Sequence, residues 1–281
     1  MNTTNIINAI LVLGIMGGVF GLVLAIASKV FAVEVDPRQE QILSILPGAN
    51  CGGCGFPGCA GYAAAVVAGT APMNACAAGG AECAAKIAAI MGVEAAEVER
   101  CVALVRCSGG PNAARKYEYL GIRDCLAASR LPGGGSLECQ YGCLGLGSCV
   151  AACKFGAISV TDGLAHVDHD KCVGCLACIE ACPKKVIVKV PYSADIVVAC
   201  SSHEKGASLR KKCNIGCIGC KICEKACPHD AIHVVDNLAS IDYSKCISCG
   251  ICAQKCPRKL IKDTRLNREH DVEVSEVGAS A

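Results

Sequence analysis

Three stretches of this sequence set thiols at a spacing suited to one kind of chemistry. Cys172-x2-Cys175-x2-Cys178-x3-Cys182-Pro183, Cys217-x2-Cys220-x2-Cys223-x3-Cys227-Pro228 and Cys246-x2-Cys249-x2-Cys252-x3-Cys256-Pro257 repeat a single pattern. In it, three closely spaced thiolates wrap one face of a cubane iron–sulfur cluster, and the fourth, before the proline, ligates a neighbouring cluster. Short loops of Gly, Ile and Ala suit that task, because backbone amides must turn inward toward the sulfurs. The alternative, zinc, takes Cys pairs separated by a dozen or more residues. These motifs are too crowded for it.

The motifs belong to an internal repeat. Adding 74 to Cys139, Cys143, Cys149, Cys153, Cys172, Cys175, Cys178 and Cys182 lands on a Cys every time. Matches of this number at one offset mean a duplicated unit. Ala157-Ile158 likewise matches Ala231-Ile232. The first group, Cys139-x3-Cys143-x5-Cys149-x3-Cys153, departs from the pattern, with Leu146 where the second unit has Cys220. Its place in the repeat still predicts a cluster, with Cys139 as the substitute ligand. Crossed ligation then predicts four sites: Cys139, Cys143, Cys149 and Cys182; Cys172, Cys175, Cys178 and Cys153; Cys217, Cys220, Cys223 and Cys256; Cys246, Cys249, Cys252 and Cys227. Cys213, the equivalent of Cys139, is left over and competes with Cys220. Upstream lies Cys51-Gly-Gly-Cys54-Gly-Phe-Pro-Gly-Cys59, then Cys76 after a helical stretch. Three thiols separated mostly by Gly can bend round a cluster corner. The same residues contain Gly53-x-Gly55-x-x-Gly58, but no strand precedes it, so a dinucleotide site is excluded.

The rest of the chain must position these groups with little bulk. Its 281 residues include 26 Cys, no Trp, 4 Phe and 6 Tyr. A core so poor in large side chains needs disulfides or metals. The compartment decides between them. Ile6 to Ala27 carries no charge and is long enough to cross a bilayer as a helix. A cleaved signal peptide is the alternative, but no Lys or Arg precedes the run, which exceeds a normal signal core. Lys29 and Arg38 follow it, which predicts a cytoplasmic position for the remainder. A reducing cytoplasm disfavours structural disulfides, so metal ligation leads. A net charge of +2 gives no reason to expect a nucleic-acid partner.

Phe31-Ala-Val-Glu34, Asp36-Pro37, Ile45-Leu-Pro47 and the Cys51–Cys59 group together resemble the RnfB family, one component of the Rnf complex, the membrane-bound, ion-translocating ferredoxin:NAD oxidoreductase. The resemblance covers nearly the whole chain. It implies that Cys51, Cys54, Cys59 and Cys76 bind one 4Fe–4S cluster. It also implies that reduced ferredoxin delivers electrons here, that NAD is reduced elsewhere in the complex, and that the transfer drives sodium or proton export. Shorter members end with one ferredoxin module, whereas this chain has two.

The expected fold is α+β: a single N-terminal transmembrane helix, a small helical 4Fe–4S domain, then two tandem bacterial-type ferredoxin modules. Expected boundaries are 1–30 for the anchor, 31–80 for the cluster domain, and 81–136 for an Ala-rich helical insert with a Gly linker. The modules follow at 137–192 and 193–262, and a flexible tail at 263–281. Five clusters leave Cys83, Cys101, Cys107, Cys125, Cys200 and Cys213, which arithmetic would allow to hold a sixth. They lack ligand-like spacing and read as small buried apolar residues. The six His show no shared spacing and are assigned no role. Between His203 and Lys262, basic residues exceed acidic ones by six. That excess balances cluster charge, offers an acidic ferredoxin a docking face, or does both. No flavin fingerprint, catalytic base constellation or nucleotide loop is present. The reading is therefore a membrane-tethered electron wire without a substrate-converting site of its own. The alternatives are a ferredoxin-like subunit of another membrane oxidoreductase, such as a hydrogenase, and a non-redox zinc scaffold.

Overall fold

The computed structural model describes residues 3–30, 36–94 and 99–264. The expected tail and the Phe31–Glu34 segment lie outside these, apart from the tail's first two residues. Helix α1 (Thr3–Val30) is apolar on all sides. Its segment Ile10–Lys29, with a mean hydropathy of 2.7, has no buried residue. Twenty residues rise about 30 Å as a helix, the thickness of a bilayer core. A Cβ placed on Gly14, Gly17, Gly18 or Gly21 would meet nothing within 4 Å, so this small-residue ridge is open.

Helices α2 (Pro37–Ile45), α3 (Gly58–Val67) and α4 (Gly80–Met91) form a small helical unit. Asp36 caps α2 by accepting from the Arg38 N–H at 2.8 Å, with Pro37 in the first turn. Leu46, before Pro47, ends the helix, as a residue ahead of proline tends to. The core is Ile42, Leu46, Tyr62, Ala63, Val66, Cys83 and Ile87. Each large side chain buried there contributes about 1.5–3 kcal/mol. Because α4 supplies Cys83 and Ile87 to this core, the unit runs past residue 80, where its end was expected.

The remaining elements build two similar modules. The first contains β1 (Cys101–Val105), α5 (Cys125–Ser129), α6 (Ser148–Ala152), β2 (Ile158–Thr161), β3 (Leu164–Val167), α7 (Ala177–Glu180) and β4 (Ile187–Pro191). The second contains β5 (Ile196–Val198), α8 (Gly206–Lys212), α9 (Ile222–Ala226), β6 (Ile232–Val235), β7 (Leu238–Ile241), α10 (Ile251–Lys255) and β8 (Ile261–Asp263). Among the described residues every sheet is a two-stranded antiparallel ribbon: β1 with β4, β2 with β3, β5 with β8 and β6 with β7. The pairing of Cys101 with Pro191 and Val105 with Ile187 corrects the expected insert. Its apolar stretch is the first strand of the first module, not part of a helical insertion.

The repeat persists in the backbone. Left-handed residues recur at the same offset of 74: Gly147 and Lys221, Gly174 and Ser248, Leu176 and Gly250, Lys185 and Lys259. A non-glycine in that region costs about 1–2 kcal/mol, so these turns are imposed by the loops and not by residue preference. Gly174 differs from its mate in one respect. A Cβ there would collide with the Cys101 carbonyl oxygen of β1. The reciprocal exchange separates conformation from contact. Gly174→Ser should destabilise the first module by about 2 kcal/mol or more, whereas Ser248→Gly should change stability by less than about 1 kcal/mol. Thermal unfolding of the two variants measures both, and equal effects would mean that the Cys101 contact is unimportant.

Candidate iron–sulfur sites

In each CxxCxxC motif the residue after the second Cys is left-handed and starts a helix of only one turn or so that carries the third Cys. Leu176 precedes α7, Lys221 precedes α9 and Gly250 precedes α10. That reversal folds the loop back on itself and turns the preceding thiols to one side. Gly147 does the same before α6.

The thiols wall five cavities. Cys51, Cys54, Cys59 and Cys76 line the one in the helical unit, beside Tyr62. Cys153, Cys172, Cys175 and Cys178 line the next, with Ala103, Ala157 and Ile158. Cys217, Cys220, Cys223 and Cys256 line a third, and Cys227, Cys246, Cys249 and Cys252 a fourth. Each of these four sets is one of the quartets expected from the sequence.

The fifth cavity departs from expectation. Cys143, Cys149 and Cys182 line it, but the fourth thiol is Cys125 and not Cys139. The cause is local. Asp124 caps α5 and accepts from the Leu126 and Ala127 N–H groups, while the Cys125 N–H donates to Ser148 Oγ at 2.7 Å. This anchors Cys125 at the start of α6, next to Cys149. Leu146, in the position of Cys220, packs instead against Ala113, Ala128, Leu137 and Leu144. A thiol from the preceding segment thus occupies the corner that Leu146 vacates.

The chemistry of these walls fits a four-iron cluster. Among the described residues no three Cys, His, Asp or Glu side chains converge on a point that could hold a single metal ion. The thiols stand apart around an apolar volume, as a cubane needs and zinc does not. Backbone amides reach the sulfurs: Ala103 N–H donates to Cys172 Sγ at 3.5 Å and Ala231 N–H to Cys227 Sγ at 3.4 Å. Such bonds favour the thiolate and tune a bound cluster. Burial, followed by the neighbouring thiols, pushes Cys178 up to about 12, and burial pushes Cys149, Cys223 and Cys252 up to about 11. Tyr62 is likewise pushed up to about 12 by burial, and its hydroxyl donates to the Pro72 carbonyl at 2.8 Å.

Two cavities meet. Cys175 lines both the helical unit's cavity and the second of the five. A Cβ on Gly53 would stand 2.9 Å from Cys175 Cα, so only glycine allows this approach. Lys154 Nζ ties the same seam by donating to the Ala49 and Asn50 carbonyls at 3.0 and 2.9 Å.

Short ribbons, tandem repeats and thiol-walled cavities define a multi-cluster iron–sulfur protein of the ferredoxin type, carried on an apolar helix. Residues 46–78 match a family described as a putative Fe-S cluster domain, 165–188 a 4Fe-4S binding domain and 216–261 a 4Fe-4S dicluster domain. Over 248 residues the chain is 48% identical to the B subunit of the Na(+)-translocating ferredoxin:NAD(+) oxidoreductase complex of Acetobacterium woodii, covering 85% of this chain and 73% of that one. It is 46% identical over 242 residues to the B subunit of the ion-translocating oxidoreductase complex of Methanosarcina acetivorans, covering 85% and 91%. It is also 46% identical over 247 residues to the B subunit of the proton-translocating ferredoxin:NAD(+) oxidoreductase complex of Clostridium ljungdahlii, covering 87% and 86%. The chain belongs to the RnfB family: it is a membrane-associated, 4Fe–4S electron-transfer component of an Rnf-type oxidoreductase with several subunits.

Sequence spacing alone gave no sign of Cys125. Its replacement by Ala should lower the iron of the anaerobically purified chain by up to about four per polypeptide. Undiminished iron would show that Cys125 lines its cavity without ligating.

Proposed function

We propose that this chain accepts single electrons from reduced soluble ferredoxin and hands them to membrane partner subunits. NAD is reduced elsewhere in the complex, and the transfer drives sodium or proton export. The observation that carries the reading is an asymmetry between equivalent positions. Cys249 is exposed in the second module, whereas its repeat mate Cys175 is covered by the Gly53 loop. Cys220 is exposed as well, and the exposed apolar side chains Ile222 and Ile247 flank these two thiols in sequence. The open end lies in the module where basic residues exceed acidic ones by six. An acidic donor is steered to such a face, and electrons entering there are directed toward the covered end. The printed names of the A. woodii and C. ljungdahlii relatives support ferredoxin and NAD as the terminal couples.

The ligand sets under this proposal are Cys51, Cys54, Cys59 and Cys76; Cys125, Cys143, Cys149 and Cys182; Cys153, Cys172, Cys175 and Cys178; Cys217, Cys220, Cys223 and Cys256; and Cys227, Cys246, Cys249 and Cys252. A cluster bound at each supplies a one-electron carrier whose potential is set by burial and by amide bonds to sulfur. The chain's own task is to hold the thiols, exclude water and keep adjacent sites close. Lys29 and Arg38 follow the apolar span, which supports a cytoplasmic position for the array. The helical unit, next after α1, is then the outlet to the membrane subunits.

Two experiments test this. In the assembled complex, Cys54→Ala should leave the array reducible by ferredoxin while stopping NAD reduction; unimpaired turnover would defeat the proposed order. Lys221→Glu with Lys245→Glu should slow ferredoxin-dependent reduction about tenfold at low ionic strength and much less at high salt, because charges at a docking rim act mainly on encounter. An equal rate at both ionic strengths would move the docking face elsewhere.

A further inference from the structure

Six cysteines lie outside the five quartets expected from the sequence, and Cys125 has been placed in the fifth cavity in exchange for Cys139. The surroundings of the six that now remain divide them. Cys83 Sγ lies 3.9 Å from the Ile45 carbonyl oxygen and Cys101 Sγ 3.6 Å from that of Glu99. A sulfur facing a carbonyl oxygen is placed as a thiol donor and has no amide aimed at it to favour ligation. Cys107 and Cys200 are placed the opposite way. Cys107 Sγ accepts the Gly109 N–H at 3.3 Å and the Cys143 N–H at 3.4 Å. Cys200 Sγ accepts the Cys217 N–H at 3.4 Å. Amides gathered on a sulfur suit a cysteine that ligates metal.

The two positions are equivalent. Cys107 lies two residues past β1 and Cys200 two residues past β5, the first strand of each module. Their donors, Cys143 and Cys217, are repeat mates at the offset of 74. Cys139 and Cys213 are mates at the same offset, and both are buried in one cluster around Leu209, which is itself fully buried. Two pairs of thiols, one from each module, thus approach a common seam. A short backbone ladder closes that seam. Ala113 bridges Cys213, Ala114 N–H donates to the Lys212 carbonyl at 2.8 Å, and Asn214 N–H donates to the Asn112 carbonyl at 3.0 Å. Arg258 adds a bond to the Cys213 carbonyl at 2.8 Å. The thiols also sense one another. Cys139 neighbours Cys200 and Cys213, Cys107 neighbours Cys139, and Cys200 neighbours Cys213. Two buried polar atoms close by in sequence, Ser108 Oγ and Glu204 Oε1, have no hydrogen-bond partner among the described residues.

We propose that Cys107, Cys139, Cys200 and Cys213 hold a sixth 4Fe–4S cluster at the seam between the two modules. The site follows the rule of the other five, with thiols from separated segments and amides aimed at sulfur. It is bonded to both neighbours, since the amides donated to Cys107 and Cys200 belong to residues that line a cavity of the first and of the second module. It therefore supplies the connection between modules that an electron wire requires. It also explains why Cys139 is absent from the cavity of Cys143, Cys149 and Cys182.

The inference rests on reading the other cavities as four-iron sites, and the test separates the two. Iron, acid-labile sulfide and zinc are counted in the full-length chain purified anaerobically in mild detergent. Native thiols are then alkylated and mapped by mass spectrometry. About 24 iron per chain is expected, with Cys83 and Cys101 the thiols that react on mild opening. Cys139→Ala with Cys213→Ala should lose about four iron, and adding Cys125→Ala should bring the loss to about eight, because the two sites are separate. About 20 iron, with alkylation of Cys107, Cys139, Cys200 and Cys213, would overturn this inference and leave the five-cluster reading standing. The same iron count with one zinc protecting those four thiols would overturn the cluster assignment at the seam. Little iron in any form would defeat both readings. If the multiple variants fail to fold, the wild-type iron count and alkylation map decide alone.

Discussion

A cubane held by four thiolates needs ligands from at least two separated segments of chain, and that requirement organises everything else here. The ribbons have three to five residues per strand, and most helices in the modules are equally short. Neither would be stable alone. They are arranged around cavities whose walls come from both halves of a module: Cys182 reaches back to Cys143 and Cys149, and Cys153 reaches forward to Cys172. Ligation therefore acts as the cross-link that a core without Trp, and with few Phe and Tyr, does not provide. The same logic explains the tolerated backbone strain. Lys221, Leu176 and Ser248 sit in left-handed conformations because the loop must turn its amides and sulfurs to one side.

Duplication supplied two modules, and function follows from how their equivalence is broken. The first module received β1 and α5 from the preceding segment, which brought in Cys125, and the helical unit adds the contact between Gly53 and Cys175. The second kept an open face with Cys220, Cys249 and a basic surround. One end of the array is covered by the unit nearest α1 and the other is open to solvent. A symmetric pair of ferredoxin modules would have two equivalent ends, whereas this pair has one covered and one open.

Much of this was legible in the sequence, because cluster ligation is local. The C-x2-C-x2-C-x3-C-P motifs, the offset of 74 and the Cys51–Cys76 group specify four quartets that line common cavities. The apolar span was equally plain, since length and the absence of charge suffice. What escaped was non-local. Cys125 precedes Cys143 by 18 residues, and its position depends on the Asp124 cap and the Ser148 hydroxyl. Val102 to Val105 became a strand because β4, more than 80 residues on, pairs with it. One signal for Cys139 did exist. Its mate Cys213 had no place in the second module's quartets, and the repeat implied the same of Cys139. The substitution of Leu146 for a ligand obscured that inference.

An electron wire of this kind must be open to an external one-electron donor. Mixing the anaerobic full-length chain with chemically reduced ferredoxin, and following the visible absorption of both partners, tests it most directly. The expected result is bleaching of this chain as ferredoxin reoxidises, with about one electron taken up per cluster of suitable potential. A chain that carries its full iron yet takes no electrons from reduced ferredoxin would contradict it.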